Sequence, residues 1–320
     1  MTLMVTGGAG YIGAHVVRVL VAGGHDVVVL DDLSTGRASV VPEGVPLVRA
    51  DINDRVDLEQ ALRRYDVESV VHLAAKKAAG ESVERPLYYF RQNVDGLATL
   101  LEAMAACEVG QLVYSSSASV YGTPATYPVD ETDPFLPESP YGQTKVVGEW
   151  MIADAAVAYG LSYTALRYFN VVGAGGTDIG DIGAFNLVPL ALRAITSGKA
   201  PSIYGDDYPT PDGTCIRDYV HVVDLAEAHA AAVAHCANSQ ASSVFNVGRG
   251  VGSSVREVLS VVSEVTGSTV APVVVDRRPG DPAAVVARVD SIRDVLGFTA
   301  TRGLTEMVES AWEAWSPPRG

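Results

Sequence analysis

The sequence predicts an α/β protein built on a doubly wound parallel sheet, with a second, smaller domain after it. Three features carry that expectation. Short β-rich runs alternate with longer stretches of helical period; the runs are apolar throughout, as in strands covered by helices on both faces; and the text after Asn170 turns Gly- and Pro-punctuated. In chain order the pattern predicts a strand at 3–6, a helix at 11–22, strands at 27–31 and 70–74, a helix at 87–107, a strand at 112–117, a helix at 141–159 and a strand at 163–169. Beyond these lie helical patterns at 187–196 and 221–235 and a strand-like run at 244–247. The expected division is a first domain over 1–170 with a return at 219–247, and a second domain made of 171–218 and 248–320.

With 320 residues, 48% hydrophobic and 19% charged, the chain is too apolar for disorder and has no apolar run long enough to span a bilayer. The N-terminal residues run directly into the first strand without a basic or cleavable leader, which points to the cytoplasm. A net charge of −15 argues against nucleic-acid and membrane partners, which need dense positive patches. Cys107, Cys215 and Cys236 are odd in number and lack CxxC spacing, so neither a disulfide framework nor a metal site is expected.

Gly7, Gly8, Gly10 and Gly13 lie between the first strand and the first helix, where small backbone lets a diphosphate approach the N–H groups at the positive helix end. The next strand ends in Asp31, whose carboxylate suits both hydroxyls of an adenosine ribose. This is the pattern of a Rossmann-type dinucleotide site. Asp31 favours NAD over NADP, because a 2′-phosphate would bring negative charge against it; Arg37 nearby is the one residue that could neutralise such a phosphate.

Ser139-Pro140-Tyr141-Gly142-Gln143-Thr144-Lys145 opens a long helical pattern with Tyr141 and Lys145 one turn apart on one face. A phenol titrating near 10 is a poor base at neutral pH, and a lysine ammonium about 4 Å away supplies roughly the 4 kcal/mol needed to lower it by about three units. The glycine loop, Asp31, Ser115-Ser116-Ser117 at a strand end and the Tyr141/Lys145 pair follow one another in the order of the extended short-chain dehydrogenase/reductase family, which the sequence resembles over nearly its whole length. Leu166-Arg167-Tyr168-Phe169-Asn170, the run 204–214, Arg217-Asp218-Tyr219-Val220-His221-Val222, the SSSASVYG run at 115–122 and Gly80-Glu81-Ser82 narrow the resemblance to the UDP-glucose 4-epimerase branch.

The resemblance implies that Tyr11, Ile12, Asp31, Asp51, Ile52, Lys77, Asn93, Tyr141, Lys145 and Tyr168 contact NAD, and that Phe169, Asn170, Asn186, Leu187, Tyr204, Arg217, Arg278 and Asp281 meet a UDP-sugar. Arg217 and Arg278 suit the diphosphate, Asp281 the uridine ribose. It further implies a catalytic trio of Ser117, Tyr141 and Lys145. Tyr141 as phenolate would take the sugar 4-hydroxyl proton while the hydride on carbon 4 passes to NAD, and the resulting 4-keto sugar would turn over and take the hydride back. Ala75 stands where the family often has glycine. Val285, four residues after Asp281, stands where a bulky tyrosine would confine the sugar pocket, so UDP-N-acetylhexosamines are expected substrates as well. A homodimer joined through the helices at 87–107 and 141–159 is expected by the same resemblance. Two alternatives stay open: a nucleotide-sugar 4,6-dehydratase, although such relatives carry Thr-Asp-Glu where this chain has Ser117-Ala118-Ser119, and a non-catalytic NAD-binding protein.

Overall fold

The structure, a computed structural model, describes residues 1–315 apart from 182, 184, 185, 240, 241 and 279. The strands are β1 (Thr2–Thr6), β2 (Asp26–Asp31), β3 (Leu47–Arg49), β4 (Ser69–His72), β5 (Gln111–Ser117), β6 (Ser162–Tyr168), β7 (Asn170–Val172), β8 (Ser202–Tyr204), β9 (Ile216–His221), β10 (Ser243–Val247), β11 (Gly252–Ser254), β12 (Val273–Val275) and β13 (Ala284–Val285). The helices are α1 (Tyr11–Ala22), α2 (Arg55–Arg64), α3 (Ala79–Glu84), α4 (Pro86–Phe90), α5 (Gly96–Ala106), α6 (Pro140–Tyr159), α7 (Leu187–Thr196), α8 (Val222–Ser239), α9 (Val255–Thr266), α10 (Asp290–Leu296) and α11 (Leu304–Trp315). A π-helical turn, Arg91–Asp95, joins α4 to α5.

Seven parallel strands form the main sheet in the order β10-β6-β5-β4-β1-β2-β3. One face buries Leu3, Val5 and Val29 against Val16, Val17 and Leu20 of α1 and Leu225, Ala228 and Ala232 of α8. The other buries Met4, Val28 and Val70 against Leu58 and Leu62 of α2, Leu97, Leu100 and Met104 of α5 and Ile152 of α6. Alternate residues of a strand thus enter opposite cores, which is why these strands read as continuous apolar runs. The chain leaves the sheet after Tyr168, returns through α8 and β10, and leaves again at β11. A smaller unit is formed by β11-β9-β13, with β7 also paired to β9, by the β12–β8 pair and by α7, α9 and α11, around Val188, Leu192, Tyr219, Val258, Val262 and Met307. No described helix is long and apolar enough to cross a membrane.

Four buried histidines make the fold acid-sensitive. Burial lowers His15, His221 and His229 to about 4 and His72 to about 3, against an ordinary 6.5. The unfolded chain takes up these protons as pH falls from about 6.5 toward 4 and the folded one does not, so stability present above that window is lost within it. Asp218, raised to about 6 by burial, and Asp31 and Glu131, raised by burial as well, run the other way but are three groups against four. The unfolding free energy is expected to drop by a few kcal/mol between about pH 7 and about pH 5. Urea titrations at both values check this; an equal or higher midpoint at the lower pH would contradict it.

Candidate active site

The crossover from β1 to α1 forms one wall of a long groove across the C-terminal edge of the main sheet. Gly7 has φ +73°, and a Cβ there would lie 2.7 Å from the Ala74 nitrogen; one on Gly13 would lie 2.1 Å from the Gly7 oxygen. Only glycine lets β1, the loop and α1 approach this closely. No side chain caps α1 at Gly10, so its first N–H groups are left for an anionic ligand. At the end of β2, Asp31 is buried and accepts from Ala9 N at 3.0 Å and Leu33 N at 2.8 Å, one bond per carboxylate oxygen. Each oxygen keeps a further acceptor site for a hydroxyl. The groove is lined by Gly7, Gly10, Tyr11, Ile12, Gly13, Asp31, Ile52, Lys77, Tyr141, Lys145 and Tyr168 among others, and its shape and donors fit a dinucleotide.

Three of the expected contact residues have side-chain hydrogen bonds within the protein. The Tyr11 hydroxyl donates to Gly173 O at 2.6 Å, which leaves its backbone and ring for the groove. Asp51 is exposed and its carboxylate accepts the Asn53 N and Nδ2, while its neighbours Ala50 and Ile52 line the groove. Asn93 spends its amide on Lys76 N and O and on Thr144 Oγ1, so it fixes the 74–78 segment that borders the groove. Ala75 lies on the groove wall, its methyl group accommodated.

Sequence reasoning missed Lys76, Ser34 and Asp181. Lys76 Nζ lies 2.6 Å from Ser34 Oγ, beside the acidic end of β2, and Asp181 also lines the groove. Ser34 could have been read from its place just after Asp31; Asp181 carries no local signal. Arg37, the one residue that suggested a 2′-phosphate, gives Nη2 to Asp178 O at 3.1 Å.

Helix α6 presents the reactive residues at the groove's end. Ser139 caps it, accepting from Gly142 N at 3.1 Å, and Pro140 fits its first turn, where no N–H partner is needed. Tyr141 N is further held by Ser82 Oγ at 3.1 Å, which explains the Gly80-Glu81-Ser82 run. One turn on, Lys145 is buried and donates to Ser115 O at 2.8 Å, with Nζ 5.9 Å from the Tyr141 ring centre. Ser117, at the end of β5, lies beside the Tyr141 phenol and acts to lower its pKa.

The electrostatics differ from the sequence expectation. Burial raises the Tyr141 phenol above its ordinary value, Ser117 opposes the rise, and Lys145 Nζ lies 5.9 Å from the phenol ring centre. Burial also lowers Lys145 itself to about 8, with Glu149 acting against the fall. The pair shares a helix face as the spacing required. The ammonium, however, is drawn to a strand carbonyl because a buried cation takes the nearest fixed acceptor.

On the other side of the cleft, the register of β9 and β13 sets Val285 opposite Arg217. Arg217 Nη1 donates to Pro282 O at 2.7 Å and Nη2 lies 3.5 Å from Asp281 Oδ1. Arg278 stacks its guanidinium 3.7 Å from the Tyr204 ring centre. Val285 is buried with Phe169, Val120, Val129 and Val146. Asn170 begins β7, and Asn186 and Leu187 open α7, where no side chain caps the helix.

Comparisons with known proteins agree with this layout. The sequence pattern of the NAD dependent epimerase/dehydratase family matches residues 3–248. A UDP-glucose 4-epimerase of Azospirillum brasilense is 44% identical over 318 residues, which cover 97% of this chain and 91% of that protein. Among solved structures, UDP-glucose 4-epimerase from Brucella ovis in complex with NAD superposes with a TM-score of 0.93 at 41% identity, covering 97% of each chain. The UDP-Glc/GlcNAc 4-epimerase of Campylobacter jejuni does so with a TM-score of 0.87 at 34% identity, covering 98% of each. The groove, the residues at its end and these full-length likenesses lead to one conclusion: the chain belongs to the NAD-dependent epimerase/dehydratase family.

Proposed function

We propose that the protein is a UDP-glucose 4-epimerase, inverting carbon 4 of a UDP-hexose to interconvert UDP-galactose and UDP-glucose, with NAD as resident cofactor. The observation that carries this reading is the meeting of Ser117, Tyr141 and Lys145 at the end of the dinucleotide groove. The Gly7–Gly13 loop and Asp31 would hold NAD, which would supply reversible hydride acceptance at carbon 4. Tyr141 removes the proton of the 4-hydroxyl and returns it after the sugar has turned. Ser117 hydrogen-bonds the reacting oxygen, and Lys145 stabilises the phenolate. Arg217 and Arg278 anchor the diphosphate, so that the 4-keto sugar can present its other face while the nucleotide stays in place.

A 4,6-dehydratase would also need an acid and a base for loss of water. Ser117-Ala118-Ser119 provides neither carboxylate, which favours epimerisation. Incubation of the pure protein with UDP-galactose, without added NAD, is expected to yield UDP-glucose; absence of product with NAD supplied would overturn the reading.

UDP-N-acetylglucosamine and UDP-N-acetylgalactosamine are further proposed substrates, because Val285, which packs in one cluster with Phe169, is a smaller residue than the tyrosine that would confine the sugar pocket at this place. The Campylobacter jejuni relative carries both activities in its name. Val285→Tyr is expected to lower kcat/KM for the N-acetylated pair selectively, by at least about tenfold. Equal losses on both pairs would mean that Val285 acts only as a packing residue. The proposed site of action is the cytoplasm. A homodimer is proposed through α4–α5 and α6, supported by Leu87, Trp150, Val157 and Tyr159, apolar residues exposed on these helices. Sedimentation at the mass of a single chain would refute it.

A further inference from the structure

Segment 173–181, which leads from β7 toward α7, lies along one face of α1 and is tied to it at successive turns. The Tyr11 hydroxyl donates to Gly173 O at 2.6 Å. Gly175 N donates to His15 Nε2 at 2.8 Å, which requires the ring proton on Nδ1, and that nitrogen donates to Tyr11 O at 2.7 Å. Arg18 makes a two-pronged ion pair with Asp178, Nη1 to Oδ1 at 3.2 Å and Nη2 to Oδ2. Between these ties, Ile179 is buried against Ala14 of α1 and Val40 of the 38–40 turn. The spacing of Tyr11, Ala14, His15 and Arg18, at i, i+3, i+4 and i+7, is that of one helical stripe. A tie from another element completes the arrangement: Arg37, in the loop after β2, donates to Asp178 O.

The segment is therefore a strap fixed both to the helix whose N-terminus faces the groove and to the loop that follows Asp31. Its continuation, Gly180, Asp181 and Gly183, lines the groove along with Gly7–Gly13 and Asp31. Of the residues assigned to the UDP-sugar, Arg217, Asp281 and Arg278 lie on β9 and the segment leading into β13, and Phe169 and Asn170 precede the strap while Asn186 and Leu187 follow it, so none is within 173–181.

We infer that this strap is the exit gate for the dinucleotide: undocking of 173–181 from the Ala14–His15–Arg18 stripe limits the rate at which NAD leaves, while UDP-sugars exchange without it. The inference rests on the NAD reading above and adds to it the residues that keep the cofactor bound between turnovers. Arg18, His15 and Asp178 are positioning residues for retention and take no part in the reaction. The Arg18–Asp178 pair is partly exposed, so each of its members contributes a modest factor. The apolar seat of Ile179 contributes with them.

The test uses the protein as purified with its bound dinucleotide. Release is followed by trapping free NAD with excess alcohol dehydrogenase and ethanol and reading NADH absorbance. Arg18→Ala and Asp178→Ala are each expected to release NAD about three- to tenfold faster than wild type, and Ile179→Ala combined with Arg18→Ala faster still. The charge-exchanged double variant Arg18→Asp/Asp178→Arg is expected to recover most of the slow release. In Arg18→Ala with saturating NAD, kcat and the KM for UDP-galactose should match wild type. Release within twofold of wild type in all the single and double variants would overturn the strap as gate, as would acceleration accompanied by an equal change in KM for UDP-galactose. Wild-type protein that neither contains NAD nor takes it up would instead overturn the cofactor reading, an outcome distinct from dinucleotide leaving every variant at one rate.

Discussion

Tyr141→Phe is expected to lower kcat at least about a hundredfold while leaving UDP-sugar affinity nearly unchanged. The change removes one oxygen and keeps the ring in its buried seat at the start of α6, and general acid–base catalysis contributes roughly that factor or more. Stopped-flow turnover and equilibrium UDP binding on the same preparation separate the two effects; near wild-type turnover would refute the assigned role. The phenol starts from an unfavourable position, raised by burial and relieved in part by Ser117. Positive charge in the groove must therefore stabilise the phenolate, and Lys145, itself lowered to about 8, supplies only part of it at alkaline pH. Lys145→Ala should accordingly slow turnover and move the rising limb of the pH–rate profile upward.

The largest expected loss of stability comes from a pair that the reaction does not use directly. Glu149 and Arg167 are both buried, Arg167 donating Nε to Glu149 Oε1 at 2.9 Å and Nη2 to Oε2 at 2.6 Å. Nη1 is held by the Tyr121 hydroxyl and Glu131 O, and the Tyr121 hydroxyl in turn donates to Asn246. Arg167→Met would strand the Glu149 carboxylate in the core and is expected to cost about 3–5 kcal/mol, whereas Glu149→Leu/Arg167→Met, which removes both charges, should cost less. Urea unfolding of the two variants decides this. A double variant as unstable as the single one would mean that packing, not the orphaned charge, sets the cost.

The residues of this network show how far sequence could be read. Arg167 was visible as part of the Leu166–Asn170 block, but nothing in its spacing from Glu149 announced a pair 18 residues away, because tertiary partners leave no periodic trace. The main sheet was legible where strands are uniformly apolar, as in β1, β2, β4 and β5. Strand β3 is three residues long and half-exposed, and α2 buries only Leu58, Ala61 and Leu62 of its ten residues, so neither rises above the pattern of a loop. In the C-terminal part, α9 has a full capping box at Ser254 and Glu257, a signal present in the sequence that was passed over. The glycine loop and the residues of α6 were readable because their chemistry is local in the chain. The strap was not, since it depends on Tyr11, His15 and Arg18 meeting a segment some 160 positions later.

Tyr168 closes β6 and Asn170 opens β7, so a single residue, Phe169, carries the chain from the large sheet to the small one; His221 to Val222 and the stretch from Val247 to Gly252 make two more crossings. The chain also passes from β13 to α10, whose Ile292 packs in the core of the large sheet, and back to α11 of the small unit, so five covalent ties, one of them a lone residue, sew the two units together. The smaller unit therefore cannot be exchanged between relatives as a cassette. A chimera would need five matched junctions, and the first falls between residues assigned to different ligands. Natural recombination within this architecture is expected to succeed through point changes on β9, β13 and the loops beside them, and specificity in such a protein evolves in place rather than by shuffling.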